Sequence, residues 1–174
     1  MALANNLLGA KFRLVTGYKG GDIDLAMERG EVEGRAGQSW DGWKLTKPNW
    51  VAEKKLNVVV QIGLERVADL RDVPLMSELA GDPETRAVLE LLSAPTSIGR
   101  PLFFGPGVPA GRVATVRSAF QATMADPEFR AEAAKANYKV APVAGEELQA
   151  IVARSLKAPS DVIARAKDAM AYRE

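Results

Sequence analysis

The chain has 174 residues, with 23 Lys and Arg against 22 Asp and Glu, 47% hydrophobic residues, and neither His nor Cys. That length suits one ordinary domain, or part of a two-lobed one, and can bury a real core. The near-neutral charge excludes the broad basic footprint of a nucleic-acid binder and the signature of a disordered chain.

Without His or Cys there is no Ser-His-Asp or Cys-His nucleophile pair, no zinc site of the usual ligands, no disulfide and no haem held by His. Asp and Glu, Lys, Ser and Thr, Tyr and the backbone remain. That menu leans towards binding rather than catalysis, with no cofactor and no metal expected. Zero Cys fits the cytosol and equally a periplasmic protein that uses no disulfides. The start, Met1 to Gly9, has no basic region and no long apolar stretch, so it does not read as a signal peptide.

In chain order, Lys11 to Tyr18 reads as a strand that ends in glycines. Asp22 is placed to cap a helix running to about Arg29, with Gly30 as its stop and Leu25 and Ala26 facing the core. Glu31 to Ala36 is a second short strand. Trp40 to Lys55 reads as a helix broken near Pro48. Leu56 to Gly63 is a continuous apolar run typical of a buried parallel strand. The alternation β-α-β-α-β predicts an α/β layer with a mostly parallel sheet.

Beyond Gly63 the chain reads as mostly helical. Asp82-Pro83-Glu84 opens a helix through Val88, Leu89, Leu91 and Leu92. Arg100 to Phe104 reads as a strand. Pro109 opens a helix with a stripe at Val113, Val116, Phe120 and Met124. Asp126-Pro127-Glu128 starts another helix, and Tyr138 to Ala141 is a short strand. Leu148, Ile151, Val152 and Leu156 form a further stripe, and a last, half-docked helix runs from Ser160 to Ala171.

The most suggestive local feature is Thr16-Gly17-Tyr18-Lys19-Gly20-Gly21-Asp22. A glycine turn between a strand end and a helix start offers backbone N–H groups and the positive end of the helix dipole to an anion. The same residues also read as a plain strand-to-helix turn with Asp22 as the cap. Gly105-Pro106-Gly107-Val108-Pro109-Ala110-Gly111 approaches the dinucleotide fingerprint, but its last spacing is one residue too long. Its two prolines also remove donors, so a rigid turn is the better reading. Trp43 and Trp50 read as packing residues, while Trp40, next to Ser39, is open between packing and a ligand cleft. Asp22 and Asp24 lie two apart at a helix start, on different faces, and make no acid-base pair.

Five segments in one order carry a family resemblance. Val15 to Gly34, Asp69-Leu70-Arg71-Asp72-Val73-Pro74-Leu75, Arg100 to Ala110, Ala125-Asp126-Pro127-Glu128-Phe129 and the Gly145-Glu146-Glu147 helix start together resemble Bug-type solute receptors. These are the extracytoplasmic binding proteins of tripartite tricarboxylate transporters. Arg71 and Lys19 stand where that family commonly has Pro.

The resemblance implies an incomplete α/β, periplasmic binding protein-like (type II) fold. Residues 1–62 would be the later part of the second, ligand-binding lobe. Residues 63–174 would be the returning part of the first lobe plus carboxyl-terminal helices. The family's amino-terminal portion has no counterpart, so a truncated and impaired receptor is expected. The resemblance implies a non-enzymatic role in a periplasmic setting, or a cytoplasmic one for a truncated product. The ligand would be a small di- or tricarboxylate or related organic acid, delivered to membrane transporter subunits, without nucleic acid. The ligand-binding residues would be Thr16, Gly17, Tyr18, Gly20, Gly21, Asp22 and Ser39, with Gln38 nearby. Exposed lobe edges would favour a homodimer. Two alternatives stand beside this reading: a small α/β enzyme domain using Lys or Asp, and a protein-interaction module without a small ligand.

Overall fold

A computed structural model describes residues 1–171. It is 56% helical with 1% strand and no sheet, so the expected mostly parallel α/β fold of the binding-protein type is overturned. The helices are α1 (Ala2–Leu8), α2 (Asp22–Glu28), α3 (Trp40–Thr46), α4 (Pro48–Ala52), α5 (Pro83–Ile98), α6 (Ala110–Ala125), α7 (Pro127–Lys135), α8 (Gly145–Leu156) and α9 (Ser160–Ala169). Two short 3-10 turns, Ala68–Leu70 and Met76–Leu79, precede α5. No helix of the described residues is long and apolar enough to cross a membrane.

The predicted strands are extended segments without a ladder. A strand becomes a sheet only when a neighbour pairs with its N–H and C=O groups. Phe12 finds that partner in one side chain: the Asn5 amide donates to its C=O at 2.8 Å and accepts from its N–H at 2.9 Å. In the run from Leu56 to Gly63, pairing is limited to a single parallel bridge from Gln61 to Leu75 among the described residues. Arg100 to Phe104 has no such pairing among the described residues, and Leu102 and Phe103 are 73% and 85% exposed. Glu31 to Ala36 and Tyr138 to Ala141 likewise form no strand ladder among the described residues.

The helix-start signals hold more closely. Asp82 accepts from the Thr85 N–H at 2.8 Å, and Asp126 caps α7 by accepting from the Phe129 N–H at 2.8 Å. At α2 the cap position falls to Gly21, and Asp22 is the first helical residue. Ala26 is buried as expected, whereas Leu25 is 45% exposed; the buried neighbour is Asp24. The chain divides into two compact units.

The first unit comprises residues 1–92 and 159–171. Its core joins Ala4 of α1, Met76 and Leu89 of α5, with Leu3, Leu8 and Val60 against them. A second cluster packs Val88 of α5 on Val162 and Ala166 of α9. Leu7 touches both clusters, so one short helix links them. The last helix is therefore docked, with Val162, Ala166 and Ala169 buried.

At the start of α5, Thr85 is buried and donates from its hydroxyl to Asp82 at 2.7 Å, while Arg165 of α9 donates to the same hydroxyl at 2.7 Å. The Thr85 hydroxyl, then the Thr85 N–H, hold the Asp82 carboxyl below its ordinary range. A depressed folded value means the contribution is complete above the unfolded value, about pH 4, and is lost as pH falls through the folded one. Thermal melts should therefore fall on acidification below about pH 4. Asp82→Asn should reduce that slope, and an unchanged slope would remove Asp82 as its source.

The second unit comprises Ser93–Ala158. In it α6 and α7 pack together. Arg117 of α6 pairs with Glu146 of α8 at 2.7 Å and donates to Gln149 at 3.1 Å. The predicted α6 stripe is half-buried at Val113, Phe120 and Met124, while Val116 is exposed. On α8, Ile151 is buried and Val152 and Leu156 are exposed.

Candidate functional site

Asp22 to Arg35 of the first unit carries the most organised polar cluster outside its core. Asp24 of α2 and Arg35 approach to 2.6 Å, with side chains only 8% and 10% exposed. The carboxylate is oriented inwards because Asp24 shares the buried side of α2 with Ala26. The Arg35 guanidinium lies over the Trp43 ring, 5.7 Å from its centroid. Trp43 stacks on Trp50 at 5.8 Å between ring centroids, with planes 26° apart. Lys47 lies 5.0 Å from the Trp50 centroid and pairs with Glu28, the last residue of α2, at 2.6 Å. Two ion pairs thus tie α2 to an aromatic stack presented by α3 and α4. A guanidinium on an aromatic face keeps its planar edges available for hydrogen bonds.

The glycine turn leads into this cluster. Gly17 and Gly20 have φ of 102° and 47°, a left-handed region that glycine adopts without strain. No atom lies within 4 Å of where a Cβ would stand at Gly17, Gly20 or Gly21, so the surface there is open. The Asp22 N–H donates to the Lys19 C=O at 2.9 Å, whereas the N–H groups of residues 17–21 make no backbone hydrogen bond among the described residues. The Gly20 C=O accepts from Arg35 Nη1 at 3.4 Å.

Each expected ligand residue has a definite place. Thr16, Gly17, Gly20, Gly21 and Asp22 are exposed along one continuous segment. Tyr18 is half-buried and donates its hydroxyl to Glu31 at 2.9 Å. That bond to a carboxylate, which favours the protonated phenol, raises the Tyr18 pKa. Ser39 lies apart from the strand end expected of it: its Oγ accepts from the Gly42 N–H at 3.0 Å and caps α3. It thereby fixes the helix that carries Trp43. Trp40 donates from its indole to Asp69 at 3.0 Å, a partner it shares with Lys44 at 2.8 Å. Arg35 went unnoticed in the sequence because its burial depends on Asp24 and Trp43, which are distant along the chain.

Two open depressions lie in the second unit. One of about 270 Å³ is lined by Met124, Arg130 and Pro142 among others. The other, of about 490 Å³, is lined by Val113, Arg117 and Glu146 among others. The guanidinium of the larger one is already held by Glu146 and Gln149. Among the described residues no group of three or more acidic side chains gathers as a metal site. Comparison with known proteins yields no match to a family model, a curated protein or a solved structure.

Proposed function

We propose that this chain is a non-enzymatic binder of a small di- or tricarboxylate, held at the glycine turn of residues 16–22. A solute-receptor role beside a tripartite tricarboxylate-type transporter in the periplasm is part of this reading, supported by the resemblance of the five sequence segments. The observation that carries the binding site is the open turn itself. Among the described residues the N–H groups of residues 17–21 make no backbone hydrogen bond, and a largely covered guanidinium lies against the Gly20 carbonyl. Backbone donors with a nearby fixed cation suit a carboxylate and need neither His nor Cys.

An enzyme reading has less support. The carboxylates with shifted pKa, Glu78 and Asp82, are both lowered by hydrogen bonds to Arg66 and Thr85, as structural ion pairs and caps are. The shift of Lys44 is upward, set by Asp69 and Asp41, which opposes a role as a neutral base.

Titration with succinate or citrate, followed by amide NMR, tests the reading. Amide signals of residues 17–21 should move in a saturable way, and affinity should be weak. Shifts confined to other segments, or none at all, would overturn it.

A further inference from the structure

We propose that the Phe103–Phe104 peptide bond is a cleavage site for an endopeptidase that takes an aromatic side chain, and that the cut product is a two-chain protein held together by α9. An endopeptidase binds its substrate as an extended strand, pairing with backbone groups and seating one side chain in a pocket. A bond inside a helix must first be unwound, at a cost in free energy. Residues 99–107, between α5 and α6, need no unwinding: all are exposed, and none belongs to a helix or a strand. The backbone groups of Arg100 to Gly105 make no hydrogen bond among the described residues. Phe103, 85% exposed, is the side chain most available to an aromatic pocket.

The other exposed aromatic residues are tied down. Phe12 has its N–H and C=O both held by the Asn5 amide. Phe129 lies inside α7, and the Tyr138 N–H donates to the Ala133 C=O at 2.8 Å. At Phe103 water adds across the amide: the C–N bond breaks, Phe103 keeps the oxygen as a carboxylate, and Phe104 leaves with a new ammonium group. The pieces are residues 1–103 and 104–174, and the second carries α9. That helix packs Val162 and Ala166 on Val88 of α5. Its Arg165 donates to the Thr85 hydroxyl at 2.7 Å and pairs with Glu84 at 3.0 Å, and the Ala169 C=O accepts from Asn6 at 2.9 Å. None of these contacts involves the cut segment, so α9 keeps the second piece on the first.

Digestion of the full, folded chain with a trace of chymotrypsin, followed by intact mass and gel filtration, tests this. The first products should be residues 1–103 and 104–174, together heavier than the uncut chain by one water. They should elute together in plain buffer and part in urea. Phe103→Ser should leave the thermal melt unchanged, because the ring is almost wholly exposed, and should slow hydrolysis of that bond roughly tenfold or more. A first cut at any other bond, a folded chain that resists while the urea-unfolded chain is cut, or an equally fast cut in Phe103→Ser would overturn the site. Pieces that part in plain buffer would overturn the two-chain product.

Discussion

Asp24→Ala is expected to destabilise the first unit by about 3–5 kcal/mol, because it strands a buried guanidinium without its counter-charge. The two side chains are almost fully covered, and their 2.6 Å contact ties α2 to the segment after it. Exposed pairs such as Lys135 with Glu132 contribute little by comparison, since water screens them and long side chains must be ordered to make them. The loss should propagate, because Arg35 also covers Trp43, and Trp43 supports Trp50 and Lys47. Urea unfolding followed by tryptophan fluorescence measures it directly, as two of the three Trp report from that stack. The double variant Asp24→Leu with Arg35→Met should regain much of the stability, since apolar replacements remove the desolvation cost of both charges together. A single variant that loses less than about 1 kcal/mol would show that the pair behaves as a surface one.

Helix starts were legible from the sequence because they are local. Asp82 and Asp126 cap helices through contacts to residues three positions on. Strand pairing was not legible, because it depends on a neighbour that sequence periodicity does not name. Val58 to Val60 have the apolar character of a buried strand, yet the pattern observed there is alternation, with Val59 exposed and its neighbours half-buried. Burial on one side only follows from the lack of a covering layer. The site was legible in part for the same reason. The glycines of the turn announce their backbone freedom by identity alone, and Gly17 and Gly20 use it. The charges around them do not. Asp24 and Arg35 are eleven residues apart, and the face that buries Asp24 carries Ala26 where Leu25 looked the better candidate.

Gln61→Met is expected to cost about 3 kcal/mol, despite preserving side-chain volume, on the basis of roughly 1–3 kcal/mol for each covered polar group left unpaired. Gln61 is buried, and its amide holds three backbone groups at once. Nε2 donates to the carbonyls of Leu70 and Val73, both at 2.8 Å, and Oε1 accepts from the Val67 N–H at 2.9 Å. Its own backbone donates to Pro74 O at 2.9 Å and accepts from the Met76 N–H at 2.8 Å. One residue therefore closes the whole loop of residues 62–75 and delivers Met76 into the core with Ala4 and Leu89. A methionine fills the space but offers nothing to those groups, so the loop must open to water to satisfy them. Hydrogen exchange should accelerate first at Val67 and Met76, ahead of the α5 amides. Gln61→Glu separates the two halves of the effect: it keeps an acceptor for Val67 but loses both donors and places a charge under cover. It should be at least as destabilising as Gln61→Met at neutral pH. Its deficit should shrink as acid protonates the carboxyl and restores one donor. A Gln61→Met protein that melts with the wild type and keeps slow exchange at Val67 would show that the loop is closed by its packing and not by this amide.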